Sequence, residues 1–404
     1  MPITLLLDLD DTLLDTNMDA FVPAYFKALG GALGHLVDPQ KMIQALMDGT
    51  HAMMRNTDPA VRLNEAFDRV FFPALGMERA QLQPVIDRFY DEGFPKIQNV
   101  TRPRPQAIEL IEWAFAQGHR VVIATNPLFP RKAILHRLRW AGLAPEKYPF
   151  AYIPGYETMR FAKTVPAYYP EILGLIGWPD DPFVFVSDDT QMDIPSSVAA
   201  GVPTFWIQNG KTDLPAGLTV QGRGEIGDLR AWLEAADPST LKPAPVTPVS
   251  LVSMLRAAPA ALAGLLDPVP PDCQKRSPRP GEWCAVEVIC HLRDVDREVN
   301  LPRFQQLLSE DRPFLGAQDT DAWAIERGYA RQDGARALQD FITARKLLID
   351  LLAPLSADDW KRPARHAIFG PTDLQELVSF ITEHDRIHIH QAWEAIEQAR
   401  AQKV

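Results

Sequence analysis

Over its first 235 residues the chain alternates short, fully apolar runs with longer stretches of helical periodicity. Ile3–Leu9, Arg120–Thr125, Phe150–Ile153, Phe183–Ser187 and Thr204–Ile207 have strand length and little polar interruption. Between them, Pro105–Gln117, Arg131–Ala141, Ala167–Leu175 and Ile194–Ala200 carry apolar residues at helical spacing. Strands buried on both faces and separated by helices predict a parallel sheet covered on each side. Residues 15–101 break this rhythm and read as several amphipathic helices with no clear strand. Inserted after the first strand, they fall over the sheet edge where ligands bind in such folds, which is the place for a lid.

The stretch from Ala235 to Ser250 holds four prolines. Each proline fixes φ and removes an amide donor, so residues 236–250 read as a semi-rigid linker. Beyond it, Leu251–Leu266, Ala285–Leu308, Ala335–Leu352 and Leu374–Gln398 have helical length and spacing, and Pro268–Glu282 reads as a proline-rich loop. Four long helices predict an all-α bundle. The expected organisation is a first domain over 1–235, with its core in 1–14 and 102–235 and a helical cap over about 15–101. The linker and a bundle over 251–404 follow.

A chain of 404 residues is too long for one ordinary core. A net charge of −11 and a pI near 5.3 disfavour nucleic acid and anionic membrane as partners. The cysteines are Cys273, Cys284 and Cys290, an odd number with no CxxC pair. A disulfide framework is not expected, and a cytoplasmic setting fits. Leu251–Leu266 contains Arg256 and Pro259 and is short for a membrane span.

Two clusters carry chemistry. Asp8 and Asp10 lie just past the first apolar strand, and alternate strand residues share a face. Another strand ends in Ser187-Asp188-Asp189, with Asp193 after it. If both strands are central, their tips meet and form an oxygen cage suited to magnesium. The strand ending in Thr125-Asn126 adds a hydroxyl and an amide, and Lys163 adds a cation. A carboxylate nucleophile, a hydroxyl, a lysine and a metal are the parts that position and neutralise a phosphoryl group.

This ordered set resembles the haloacid dehalogenase (HAD) superfamily over about residues 1–235. Asp8, Asp10 and Thr12 match its first motif, Thr125 its second, Lys163 its third, and Asp188, Asp189 and Asp193 its fourth. The resemblance implies a Rossmann-like α/β core with a helical cap. It implies that Asp8 attacks phosphorus, that Asp10 is acid and then base, and that Mg²⁺ is held by Asp8, the Asp10 carbonyl and Asp188. Asp189 or Asp193 would support the ion or its waters, and Thr12 and Asn126 would contact the substrate. Dehalogenating members lack the second acid, so Asp10 favours a phosphatase acting on a small phosphate ester. Two departures from the pattern are Ser187, in place of glycine, and Thr164, where proline is usual after the lysine.

The second cluster is His384-Asp385-Arg386-Ile387-His388. His384, His388 and Gln391 fall on one helix face, and two imidazoles one turn apart suit a borderline divalent metal such as Zn²⁺ or Ni²⁺. Asp385 stands where a zinc protease has glutamate, so that reading fails. His291 is the candidate third ligand, with Glu287 and Asp294 placed to hydrogen-bond a ligand ring. His390 lies off the shared face, and His366 reads as structural. The stretch from about 249 to 399 resembles the DinB-like (YfiT-like) four-helix family through Gly281-Glu282-Trp283-Cys284, the residues around His291, Phe369-Gly370-Pro371 and the histidine run. The resemblance implies a three-histidine divalent-metal site. Some branches use a low-molecular-weight thiol, so a thiol-dependent transferase stands as one alternative. A non-catalytic sensor or a homodimerisation role for the bundle is the other.

Overall fold

The first strand, β1 (Thr4–Leu7), carries only Thr and Leu and is completely buried, as a central strand must be. In the computed structural model, which describes residues 1–401, β1 pairs in parallel with strands on both sides. The chain forms two compact units, one of residues 1–168 with 180–244 and one of residues 169–179 with 245 onward. The last three residues of the expected bundle range, 402–404, lie outside the described residues.

In the first unit, β2 (Leu14–Thr16) and β3 (Thr101–Pro103) form a two-stranded antiparallel ribbon. The main sheet has the order β4-β1-β5-β6-β7, where β4 is Arg120–Ile123, β5 Phe183–Ser187, β6 Thr204–Ile207 and β7 Gly222–Gly224. All its pairings are parallel, so the C-terminal ends of β1, β4 and β5 lie side by side. The expected strand Phe150–Ile153 is reduced to a single bridge, Val122 with Tyr152. Pro149 and Pro154 bracket it and cannot donate to a ladder. Periodicity did not reveal β7 or the β2–β3 ribbon, because each has only three residues.

The ribbon is the stem of the insertion. Between its strands run α1 (Met18–Leu33), α2 (Pro39–Met54), α3 (Leu63–Leu75) and α4 (Arg79–Arg88). Asn17 and Asp38 cap the first two by accepting from the amides of Ala20 and Lys41. The α2–α3 pair closes tightly at Gly49, where a Cβ would come within 2.6 Å of the Phe67 ring.

The second unit is built on helices Pro248–Leu266, Ala285–Val295, Gly334–Leu352 and Leu374–Ala401. Leu251, Leu255, Phe304, Leu348, Leu374 and Val378 belong to one buried cluster among them. The helix Pro248–Leu266 is long and apolar enough by composition to cross a membrane, and 78% of that stretch is buried within the protein. The second expected helix is interrupted. A π-turn spans Asp296–Asn300, the Leu301 amide bonds to the Asp296 carbonyl, and a helix resumes over Leu301–Ser309. Pro302 cannot donate an amide, so the ladder must adjust there.

Two other features depart from expectation. A small sheet, Gly370–Asp373 on Pro363–His366 on Phe314–Leu315, decorates the bundle. Residues 169–179, expected in the first domain, group with the second unit. There Gly174 lies against Ala261 and Gly177 against the Trp393 ring, so close that any Cβ would collide, and His390 Nδ1 donates to the Gly177 carbonyl at 2.6 Å. The linker also has more structure than its prolines suggest. Leu241 is fully buried, and its carbonyl accepts from Phe183, while Ala244 bonds to Gly201.

Candidate active site and metal centre

Parallel pairing of β1 with β4 and β5 brings Asp8, Thr125 and Asp188 to neighbouring strand ends. Asp8 still donates its amide to the Val186 carbonyl, at 2.9 Å, so its backbone is fixed by the sheet while its side chain leaves it. The chain then turns through Asp11, whose φ of +52° is in the left-handed region. The Asn209 amide group, donating to the Asp11 carbonyl at 2.7 Å, holds this turn.

Lys163 organises the buried floor. Its ammonium bonds to Asp8 Oδ1 and to Asp193 Oδ2 at 2.7 Å, and Ser187 Oγ donates to the same Asp193 oxygen at 2.6 Å. Burial opposes charge on Lys163, but Asp193 and Asp8 outweigh it and hold the ammonium above the ordinary lysine value. Burial raises Asp8 against the pull of Lys163, with Asp188 adding repulsion. Burial also pushes Asp193 up to about 6. Asp193 thus anchors Lys163 through one carboxylate oxygen. Asp189 is likewise engaged, accepting from the amides of Gln191 and Met192 to close a turn. Asp188 is raised by burial and by Asp11 against the pull of Lys211, which lies 3.5 Å away, and it adds repulsion at Asp8.

Two expected substrate contacts take other roles. Thr12 is fully buried, and its hydroxyl faces no solvent, so it offers nothing to an entering ligand. Asn126 Oδ1 accepts from the Lys163 amide at 3.2 Å and ties the two loops together. Thr125 is buried, and its carbonyl accepts from Tyr168.

The residue that sequence reasoning missed is Arg137. Its guanidinium pairs with Asp10, is 2% exposed, and lies 5.6 Å from the centroids of both Phe21 and Phe129. Burial lowers its pKa to about 10, and Asp8 opposes that shift. Asp10 also accepts from Thr16 Oγ1 at 2.7 Å. A signal for Arg137 existed: it falls four residues after Ala133 and three after Ile134, on the apolar face of the helix Arg131–Trp140. The insertion reaches this region as well, since Phe21 lies on α1 and the Thr164 hydroxyl donates to the Met54 carbonyl at 2.7 Å.

In the second unit the three expected histidines converge. His384 Nε2 lies 3.1 Å from His291 Nε2 and 3.2 Å from His388 Nε2. One candidate ligand atom from each lies within 4.8 Å of the others. Two nitrogens bound tetrahedrally to one Zn²⁺ at normal bond lengths are about 3.3 Å apart, so the spacing fits a shared ion. His388 Nδ1 donates to Gln391 Oε1 at 2.9 Å, which leaves its Nε2 as a lone-pair donor. Burial, with the neighbouring rings adding to it, lowers His291 and His384 to about 3, and burial lowers His388. Trp283 closes one side, its ring 5.8 Å from that of His388 and nearly parallel to it.

The flanking acids do not serve the histidines as expected. Glu287 accepts from the Cys284 amide, and Asp294 is bound by Arg293, Arg327 and Tyr329. Below the triad, Arg345 is fully buried between Asp296 and Asp385. His366 Nδ1 accepts from the Ile368 amide, a structural role. Cys284 and Cys290 are buried, and burial raises their thiols to about 11 and about 12.

Parts of the chain are similar to known proteins. A phosphoglycolate phosphatase of Mesorhizobium japonicum is 26% identical over 206 residues, covering 51% of this chain and 82% of the relative. Among solved structures, a 2-haloacid dehalogenase of Pseudomonas syringae pv. Tomato shares 21% identity, with 58% of this chain and 99% of that one covered and a TM-score of 0.42. YfiT from Bacillus subtilis, described as a probable metal-dependent hydrolase with an unusual four-helix bundle topology, shares 21% identity, with 39% and 87% covered and a TM-score of 0.35. Residues 4–201 match the haloacid dehalogenase-like hydrolase family and residues 254–392 the DinB superfamily. The chain is therefore a haloacid dehalogenase-like hydrolase domain joined to a DinB-superfamily domain.

Proposed function

We propose that the first unit is a magnesium-dependent phosphatase acting on a phosphate monoester through an aspartyl-phosphate. The observation that carries this reading is the Asp8–Lys163–Asp193 chain, which holds one buried carboxylate at a strand tip beside a fixed cation. Asp8 attacks phosphorus as the P–O bond to the leaving group breaks, and Asp10 supplies the proton that makes the leaving group an alcohol. Asp10 then takes a proton from water, the water oxygen bonds to phosphorus, and the bond to Asp8 breaks to release phosphate. Lys163 offsets the charge on the transferring group. The donor set fits magnesium: Asp188 lies near enough to Asp8 to repel its charge, and oxygen ligands suit a hard cation. When bound, Mg²⁺ neutralises the phosphoryl oxygens. The test is phosphate release from a panel of monoesters that includes phosphoglycolate, with and without Mg²⁺.

For the second unit we propose a divalent-metal centre on His291, His384 and His388, with Zn²⁺ or Ni²⁺ as the ion. The mutual approach of three neutral ring nitrogens supports it. A thiol-dependent reaction there needs a small external thiol, because Cys284 and Cys290 are buried and resist ionisation. Metal analysis of the purified protein, and of His384→Ala/His388→Ala, tests the centre.

A further inference from the structure

An apolar cavity adjoins the acid site. It has a volume of about 260 Å³ and lies between α1, α2, α3 and the loop of residues 128–130. Phe21, Tyr25, Phe67, Phe71 and Phe129 form much of its wall. Phe21 and Phe129 are also the rings that flank the Arg137 guanidinium, whose donor edge faces Asp10. Phe21 and Phe129 thus border both the cavity and the Arg137–Asp10 pair. The loop that closes the cavity starts two residues after Asn126.

Protein interiors rarely leave such space, because lining atoms without partners lose their dispersion contacts. An engineered apolar cavity of about 150 Å³ holds benzene, so this one accommodates a medium alkyl chain or a fused ring. Several of its polar groups are already engaged. The Tyr25 and Tyr90 hydroxyls bond to each other at 2.9 Å, and Asp68 pairs with Arg79 at 2.7 Å. A sugar or a second carboxylate placed here would lose its water without replacement.

We propose that this cavity selects the substrate: a phosphate monoester of an apolar alcohol or phenol, with its organic group in the cavity and its phosphate at Asp8. Arg137 suits the boundary, since its faces accept rings while its edge donates to anionic oxygen. The proposal rests on the phosphatase reading above.

The test is kcat/KM of the full chain with Mg²⁺ on n-alkyl phosphates from methyl to octyl, beside phosphoglycolate and a hexose phosphate. The expected result is a rise of about fourfold per methylene until the cavity is full, carried by KM. Leu46→Trp, and the milder Thr50→Leu should the first not fold, fill the cavity and flatten that rise. Methyl- and octylphosphonate supply a readout without turnover, and octylphosphonate alone is expected to raise the thermal midpoint. Turnover with no dependence on chain length, a preference for phosphoglycolate or the hexose phosphate, or an unchanged rise in both variants overturns this inference and leaves the phosphatase reading standing. Absence of turnover on every ester overturns both.

Discussion

The two sites handle charge in opposite ways. At the strand tips every key carboxylate has a protein cation or donor opposite it: Lys163 for Asp8 and Asp193, Arg137 for Asp10, and Lys211 for Asp188. In the bundle, three ring nitrogens point at one another, and their nearby acids, such as Asp294 and Asp385, act on them only at a distance. The first arrangement fixes its carboxylates against side-chain cations, and in the reading proposed above Mg²⁺ adds the remaining positive charge. The second is a set of neutral lone-pair donors, the arrangement on which the proposed divalent-metal centre rests. One chain thus contains a site built from paired charges and a site built from neutral rings.

The largest expected effect tests the first half of that contrast. Asp8→Asn removes the phosphoryl acceptor, and phosphate release should fall by at least about 10⁴-fold, leaving only positioning and charge stabilisation. Asp10→Asn should cost about 10²–10⁴-fold through lost proton transfer. Steady-state phosphate release measures both. If Asp8→Asn kept normal turnover, the acid site would be no more than a structural ion-pair network, and the contrast would collapse.

The second half is sharpened by Gln391→Ala. Without its Oε1, His388 loses the hydrogen bond that fixes its tautomer, and metal affinity should fall by about 10–100-fold while phosphate release is unaffected. Competition with a chelator reads the affinity. Unchanged affinity would mean that the ring is oriented by packing against Trp283 alone.

A smaller effect concerns pH. Burial raises Asp193 to about 6 in the folded protein, from an ordinary 3.8. As pH falls through 6 its carboxylate protonates and releases Lys163, so activity should decline there. Stability has the opposite sign: between 6 and 3.8 the folded state binds the extra proton, so this group favours folding as pH falls. His291 and His384, lowered to about 3 from 6.5 by burial, act the other way. The metal-free second unit should lose stability as pH drops from 6.5 toward 3, because the unfolded chain takes up those protons first. Thermal unfolding followed separately for the two units by local probes would show the opposed slopes.

Both sites were partly legible in the sequence, for physical reasons that differ. Asp8, Thr125, Lys163 and Asp188 stood out because each follows a strand or loop whose place in a parallel sheet can be read from apolar runs. His384 and His388 stood out through helical spacing, and His291, 93 residues from His384, entered as the candidate third ligand without a spacing argument of its own. What escaped was decided by tertiary competition. Glu287 and Asp294 had the right spacing to support a ligand, but a helix cap and two arginines claimed them. Arg137 shares its helix with Arg131, Lys132 and Arg139, and only its burial beside Phe21 and Phe129 sets it apart. Residues 169–179 read as part of the first domain because their helical pattern is silent about which core they join. The glycines at 174 and 177, which allow close approach to Ala261 and Trp393, carry that information only once the packing is known.

The central claim, that Asp8 carries the phosphoryl group, is tested most directly in the Asp10→Asn protein. Para-nitrophenyl phosphate needs little acid help to lose its phenolate, so the first step should proceed while hydrolysis of the intermediate slows. Protein quenched during turnover with Mg²⁺ and analysed by peptide mass should carry one added phosphoryl group on the peptide containing Asp8. Continued phosphate release with no phosphoryl group on that peptide, or with the group on another residue, would contradict the account.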